Sequence, residues 1–172
     1  MKPLFVLILF FACKTVSAQV SPGELRLLEK LDSVQNSEPP ANHFAGLYIT
    51  ATSNAILFWQ TRSEQERNLN RRFETRFASF FFAATDSYSN RRNIPEEWKD
   101  YFRHNNISQL QYKLLGINAH INGDIRKALT TEFSPAELKI YKASFLAFNY
   151  KLKQQYFDLY YQAVNEKSKS KI

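Results

Sequence analysis

Residues 114–129 read LLGINAHINGDIRKAL and set four polar side chains, Asn118, His120, Asn122 and Asp124, in a stretch otherwise patterned as a core helix. A His and an Asp at i, i+4 project from one helix face, where imidazole nitrogen and carboxylate oxygen converge on a point roughly 2 Å from each, as one zinc or other divalent metal requires. The same spacing equally suits a buried structural pair in which the carboxylate holds the imidazole. With His120 as origin and about 100° per residue, Asp124 lies about 40° away, and Asn118 and Asn122 lie near 160° and 200°. The four therefore fall into two pairs on opposite sides, and a regular helix cannot direct all four at one ion. Zinc takes at least three protein ligands. The remaining histidines are His43 and His104, and the carboxylates are dispersed, so Asp86 and His43 are the candidates to complete a shell around His120 and Asp124. A metal held there would activate water for ester or phosphoester hydrolysis.

Other chemistry is excluded by residue type. The only cysteine is Cys13, and the four glycines (Gly23, Gly46, Gly116, Gly123) are too far apart for either common phosphate-binding loop. There is no GxSxG and no HExxH. Glu64/Glu66 and Glu96/Glu97 each fall in an expected first helical turn, where acidic side chains complement the helix dipole. Asn106-Ile107-Ser108 matches a glycosylation sequon, which has no meaning in a bacterial host.

The elements that must position these residues are helices. Apolar residues recur every three or four positions and β-branched runs are scarce, which predicts an all-α, single-domain bundle of about six helices. The first follows Ser21-Pro22, with Leu25, Leu28, Leu31 and Val34 on one face. The second is expected from about His43 to Thr61. The third starts at the Ser63–Glu66 capping box, and Phe80-Phe81-Phe82 should bury it on most sides. A short helix near Asn93 carries Ile94, Trp98 and Phe102. A fifth covers about Ser108 to Leu129, and a last Tyr-rich helix opens at Ser134-Pro135-Ala136-Glu137. In the fifth, Leu110, Leu114, Ile117, Ile121 and Ala128 form an apolar stripe that should face the core. Gly116, Ala119 and Gly123 make a strip of small residues beside His120 against which a neighbour can press.

The N-terminus reads as a secretory signal, with Lys2, an apolar run from Leu4 to Ala12, and Val16-Ser17-Ala18 before a cut at Gln19. The run is too short to span a bilayer. Lipidation at Cys13 would need a box that Phe10 and Phe11 disfavour. The organisation expected is thus a signal peptide over 1–18, an all-α domain over 19–166 and a flexible basic tail over 167–172, secreted or periplasmic and without a membrane span. Net charge is +7 for all 172 residues, falling to +5 without Lys2 and Lys14 and to +2 without the lysines of the tail. That balance gives no reason to expect nucleic acid as a partner.

Asn118-Ala119-His120-Ile121-Asn122-x-Asp124, after Leu115-Gly116-Ile117 and with Ile94-Pro95-Glu96-Glu97-Trp98 upstream, resembles the bacterial family known as domain of unknown function 5995 over Phe44 to about Val164. The resemblance implies a helical domain to which the polar helix matters, and no reaction. His120-Ile121-Asn122-Gly123-Asp124-Ile125 is also similar to a helix of zinc-dependent phospholipases C and single-strand-specific zinc nucleases, whose His and Asp bind zinc. Where those enzymes carry a further ligand histidine this chain has Thr130, and their second ligand helix is absent. Three roles stay open for the polar set: a hydrolytic metal centre acting on an ester substrate, fixed hydrogen bonds to a small apolar ligand enclosed by the aromatic helices, or a purely structural network.

Overall fold

The computed structural model describes residues 20–169; the expected signal peptide and residues 170–172 lie outside the described residues. Helices account for every regular element among the described residues. They are α1 (Pro22–Gln35), α2 (Ala41–Trp59), α3 (Glu64–Ser89), a 3-10 turn (Glu96–Trp98) leading into α4 (Lys99–Arg103), α5 (Gln109–Asn118), a π turn (Ala119–Asp124), α6 (Ile125–Glu132) and α7 (Pro135–Lys169). Because α5, the π turn and α6 follow one another without a break, they make one rod, and six rods result. The class is all-α.

Local chemistry explains where the rods start. Ser21, Ser63 and Ser108 each accept the backbone N–H three residues on, while Glu24, Glu66 and Gln111 reach back to the cap N–H. Ser134 and Glu137 repeat the arrangement at the head of α7. Each such box satisfies orphan amides and contributes about 1 kcal/mol. α2 has no side-chain cap of its own. Instead the Tyr101 hydroxyl accepts from the Phe44 amide at 3.2 Å and donates to the Pro40 carbonyl at 2.5 Å, tying α4 to the head of α2.

The chain divides into two compact units, Met1–Glu132 and Phe133–Ile172. In the first, α1 lies along α2, and α3 packs on α2, the π turn and α6. Its core is aromatic: Phe44, Tyr48, Trp59, Phe73, Phe77, Phe81, Trp98 and Tyr101 are all buried. Of the triple phenylalanine only Phe81 is fully buried. Phe80 and Phe82 are half-exposed, and Arg76 and Lys30 lie over their rings. In the second unit, Phe133 packs on Tyr141, and Tyr141 on Phe145.

One expectation is reversed. Leu110, Leu114 and Ile121 are 44%, 55% and 39% exposed, so the apolar stripe of the fifth rod faces solvent except at Ala128 and, in part, Ile117. The buried face carries Tyr112, Gly116, Ala119, His120, Asp124 and Ala128. Small residues and hydrogen-bonded polar ones allow the close approach that branched side chains would prevent. A Cβ on Gly116 would stand 2.4 Å from the Phe44 ring, and one on Gly123 2.4 Å from Cγ of Glu97.

Candidate functional site

The site is built on the π turn. Ile125 donates its amide to the His120 carbonyl, five residues back instead of four. Buried residues recur here every four positions, at 112, 116, 120, 124 and 128. Each such step overshoots a regular helical turn by roughly 40°, so on an unbroken α-helix Tyr112 and Ala128 would diverge by roughly 160°. The wider turn takes up the overshoot and keeps His120 and Asp124 aimed inward. Such turns are rare and concentrate at functional sites.

His120 Nδ1 lies 3.0 Å from Asp124 Oδ2, and the Trp98 indole N–H donates to that same oxygen at 2.9 Å. A carboxylate oxygen only accepts, so the pattern assigns the proton to Nδ1 and leaves Nε2 a bare acceptor. His120 is 3% and Asp124 1% exposed. Phe77 stacks on the imidazole at 3.5 Å between centroids, Tyr48 meets it at 4.5 Å and Phe44 at 5.7 Å. Desolvation among these rings pulls the His120 imidazole below its ordinary value, with Asp124 opposing more weakly, so the ring is neutral near neutral pH. Nε2 has no hydrogen-bond partner among the described residues.

The other polar residues of the motif pair with each other. Asn122 Nδ2 donates to Asn118 Oδ1 at 2.7 Å on the exposed side of the rod. The four thus separate into a sealed pair and an exposed pair. Asp86 stands elsewhere, its side chain 59% exposed and paired with Arg92 and Asn90. His43 packs its ring on Tyr112 at 4.7 Å. The structure joins neither to His120 and Asp124, and among the described residues no three His, Cys, Asp or Glu side chains gather in a metal-holding group. The donor set does not fit zinc: the Asp124 oxygen facing His120 already accepts the indole N–H, Nδ1 is spent on it, and aromatic rings wall the remaining nitrogen.

Trp98 is the partner that spacing along the rod could not reveal. A buried indole N–H needs an acceptor, and Asp124 is the buried carboxylate that supplies one. Beside it, Glu97 reaches over Gly123 to pair with Lys127, whose hydrogen bond holds the Glu97 carboxyl below the usual range. A second missed group is Glu74 on α3, in register with the buried Asn70, Phe77 and Phe81.

A larger opening lies between α1 and α3, a groove of about 790 Å³ lined by Arg26, Lys30, Ser33, Ser79, Phe82 and Asp86 among others. Among the described residues no helix is long and apolar enough to cross a membrane.

The chain matches the model of a family described as a family of unknown function (DUF5995) over residues 25–166, and it belongs to that family. No curated protein and no solved structure matches it.

Proposed function

We propose that this member of the DUF5995 family works outside the cytoplasm, secreted or periplasmic, as a ligand-binding helical domain whose His120/Asp124 site is a structural keystone. One observation carries the reading. The Trp98–Asp124–His120 chain of hydrogen bonds is consumed internally beneath aromatic rings, at 1–3% exposure for the His–Asp pair, whereas the open groove lies on another part of the same unit.

A metal-dependent hydrolase needs its ligands around an open coordination position, and these side chains offer none. An apolar ligand held by all four motif residues fares no better, since the amide pair and the His–Asp pair face opposite ways. The groove suits a different occupant. Its volume is within the roughly 300–1,000 Å³ of ligand sites, and Arg26, Lys30 and serine hydroxyls, set against a single lining carboxylate, Asp86, that Arg92 and Asn90 already engage, favour a polar molecule bearing an acid group.

The test is thermal-shift screening of the protein against small organic acids and sugar acids. Stabilisation should disappear in Arg26→Glu/Lys30→Glu and persist in His120→Asn. Stabilisation indifferent to the groove charges would sink the assignment.

A second reading is favoured by a single atom. Asp124 on Nδ1 and a bare Nε2 is the orientation a histidine general base requires, and at 3% exposure that nitrogen reaches a substrate only if the covering rings part. Turnover of a nitrophenyl ester panel, lost in His120→Asn, would establish it.

A further inference from the structure

A separate cavity of about 50 Å³ sits where α1, α2 and α3 meet, lined by Glu24, Thr52, Asn70, Arg71 and Glu74 among others. We propose that it is a binding site for a monovalent alkali cation, sodium or potassium, held by Glu74, Thr52 and Asn70. Its lining meets that of the groove at Gly23, Leu27 and Thr75 but includes neither Arg26 nor Lys30, and it does not include His120 or Asp124.

The oxygens are built in and buried. Thr52 is 1% exposed, and its Oγ1 has no hydrogen-bond partner among the described residues. Asn70 is 2% exposed and Glu74 9%. A buried side-chain oxygen without a donor incurs a desolvation cost that a hard cation can offset, and such cations prefer carboxylate, amide and hydroxyl oxygens. The space accommodates an ion with one or two waters.

Charge selects the class of ion. Glu24 is already engaged: Oε2 takes the Ser21 amide at 2.7 Å, and Oε1 faces Arg71 Nε at 3.4 Å. Arg71 in turn reaches outward to Glu64 and Asn68. Glu24 and Arg71 cancel, so an ionised Glu74 leaves one negative charge in the cavity, which one monovalent cation balances. A divalent ion would leave an uncompensated positive charge at a buried position, which is costly. Burial and the nearby Glu24 carboxylate push the Glu74 carboxyl up to about 8, with no hydrogen bond offsetting them. Without a cation the carboxyl therefore stays protonated near neutral pH, and a bound ion would favour its ionised form.

The experiment compares melting temperatures of the protein in choline chloride, sodium chloride, potassium chloride and calcium chloride at matched ionic strength, alongside Glu74→Gln and Thr52→Val. Sodium or potassium should raise the melting temperature by several degrees over choline, by less in Thr52→Val and not at all in Glu74→Gln. The sodium-23 resonance should broaden with the wild type and not with Glu74→Gln. Equal melting in choline and both alkali salts, or an equal rise in Glu74→Gln, overturns the proposal in favour of a cavity filled by water and a neutral acid. A rise specific to calcium overturns the monovalent class.

Discussion

Asp124 Oδ2 accepts from both Trp98 and His120, so each partner can be removed separately. Trp98→Phe keeps most of the packing but withdraws one donor from a buried carboxylate. Its expected cost is about 1–3 kcal/mol, read from denaturant melts, and His120→Ala should cost at least as much because it also opens a space between Phe77 and Tyr48. Proton linkage adds a signature. His120 has a folded-state value below its unfolded one, so its stabilisation is complete above the unfolded value of about 6.5 and is lost as pH falls below it toward the folded value. Glu74 runs the other way. Its carboxyl is raised from 4.5 to about 8, so the fold is unpenalised by this group below 4.5 and loses stability as pH climbs through about 8. In choline buffer Glu74→Gln should therefore stabilise the protein above pH 8, by at most about 5 kcal/mol, and make no difference near pH 4. A stability–pH curve unchanged by Glu74→Gln would show that the carboxylate finds a partner in solution.

At the scale of elements, the π turn with its Gly123 and the preceding Gly116 decide which face of the fifth rod is buried. Gly116 lies against the Phe44 ring, whereas a Cβ on Gly23 would meet nothing nearer than Ser21 Oγ at 4.0 Å. Gly116→Ala should accordingly destabilise by about 1–3 kcal/mol, since the ring it displaces is packed on every side. Gly23→Ala, in the first turn of α1, should be neutral or raise stability by about 0.4–1 kcal/mol through reduced unfolded-state entropy. Parallel thermal melts of the two variants test the contrast, and equal effects would contradict the close helix–helix seating. The capping boxes are independent of this geometry. The boxes at Ser63 and Ser134 close as sequence spacing leads one to expect, and Ser21, expected as an N-cap, closes one with Glu24 as well, because a cap needs only residues three positions apart.

For the molecule as a whole, the roles proposed for the His–Asp pair and for the groove are both testable. Purified without chelator or histidine tag, the protein should contain no stoichiometric zinc, and added zinc should leave its melting temperature unchanged. One zinc per chain by elemental analysis, absent from His120→Ala, would restore the metal-centre reading. Export is tested by N-terminal sequencing of the protein recovered from the periplasm or medium, which should begin at Gln19. The chain belongs to the DUF5995 family over residues 25–166, so the Trp98–Asp124–His120 network and the groove can be compared across its members.

Period, caps and residue types were legible along the chain: helices, their starts, and the division of the motif into a His–Asp pair and an Asn–Asn pair all follow from interactions three or four residues apart. The inward direction of the fifth rod was not legible. Reading Leu110, Leu114 and Ile121 as core assumes that the most apolar face is buried, but burial depends on what a neighbour can seat. Here Phe44 and Glu97 fit over glycines, and Trp98, 26 residues from Asp124, satisfies the carboxylate. The π turn was equally hidden, because its wider winding is imposed by the buried partners of residues 112 to 128 and not by local propensity. The burial of Glu74 also belongs to tertiary structure, since only the meeting of three helices encloses it. Sequence thus determined local hydrogen bonding and periodicity, whose partners lie within one turn. Tertiary structure decided which polar groups are desolvated, because that depends on surfaces brought together from distant parts of the chain.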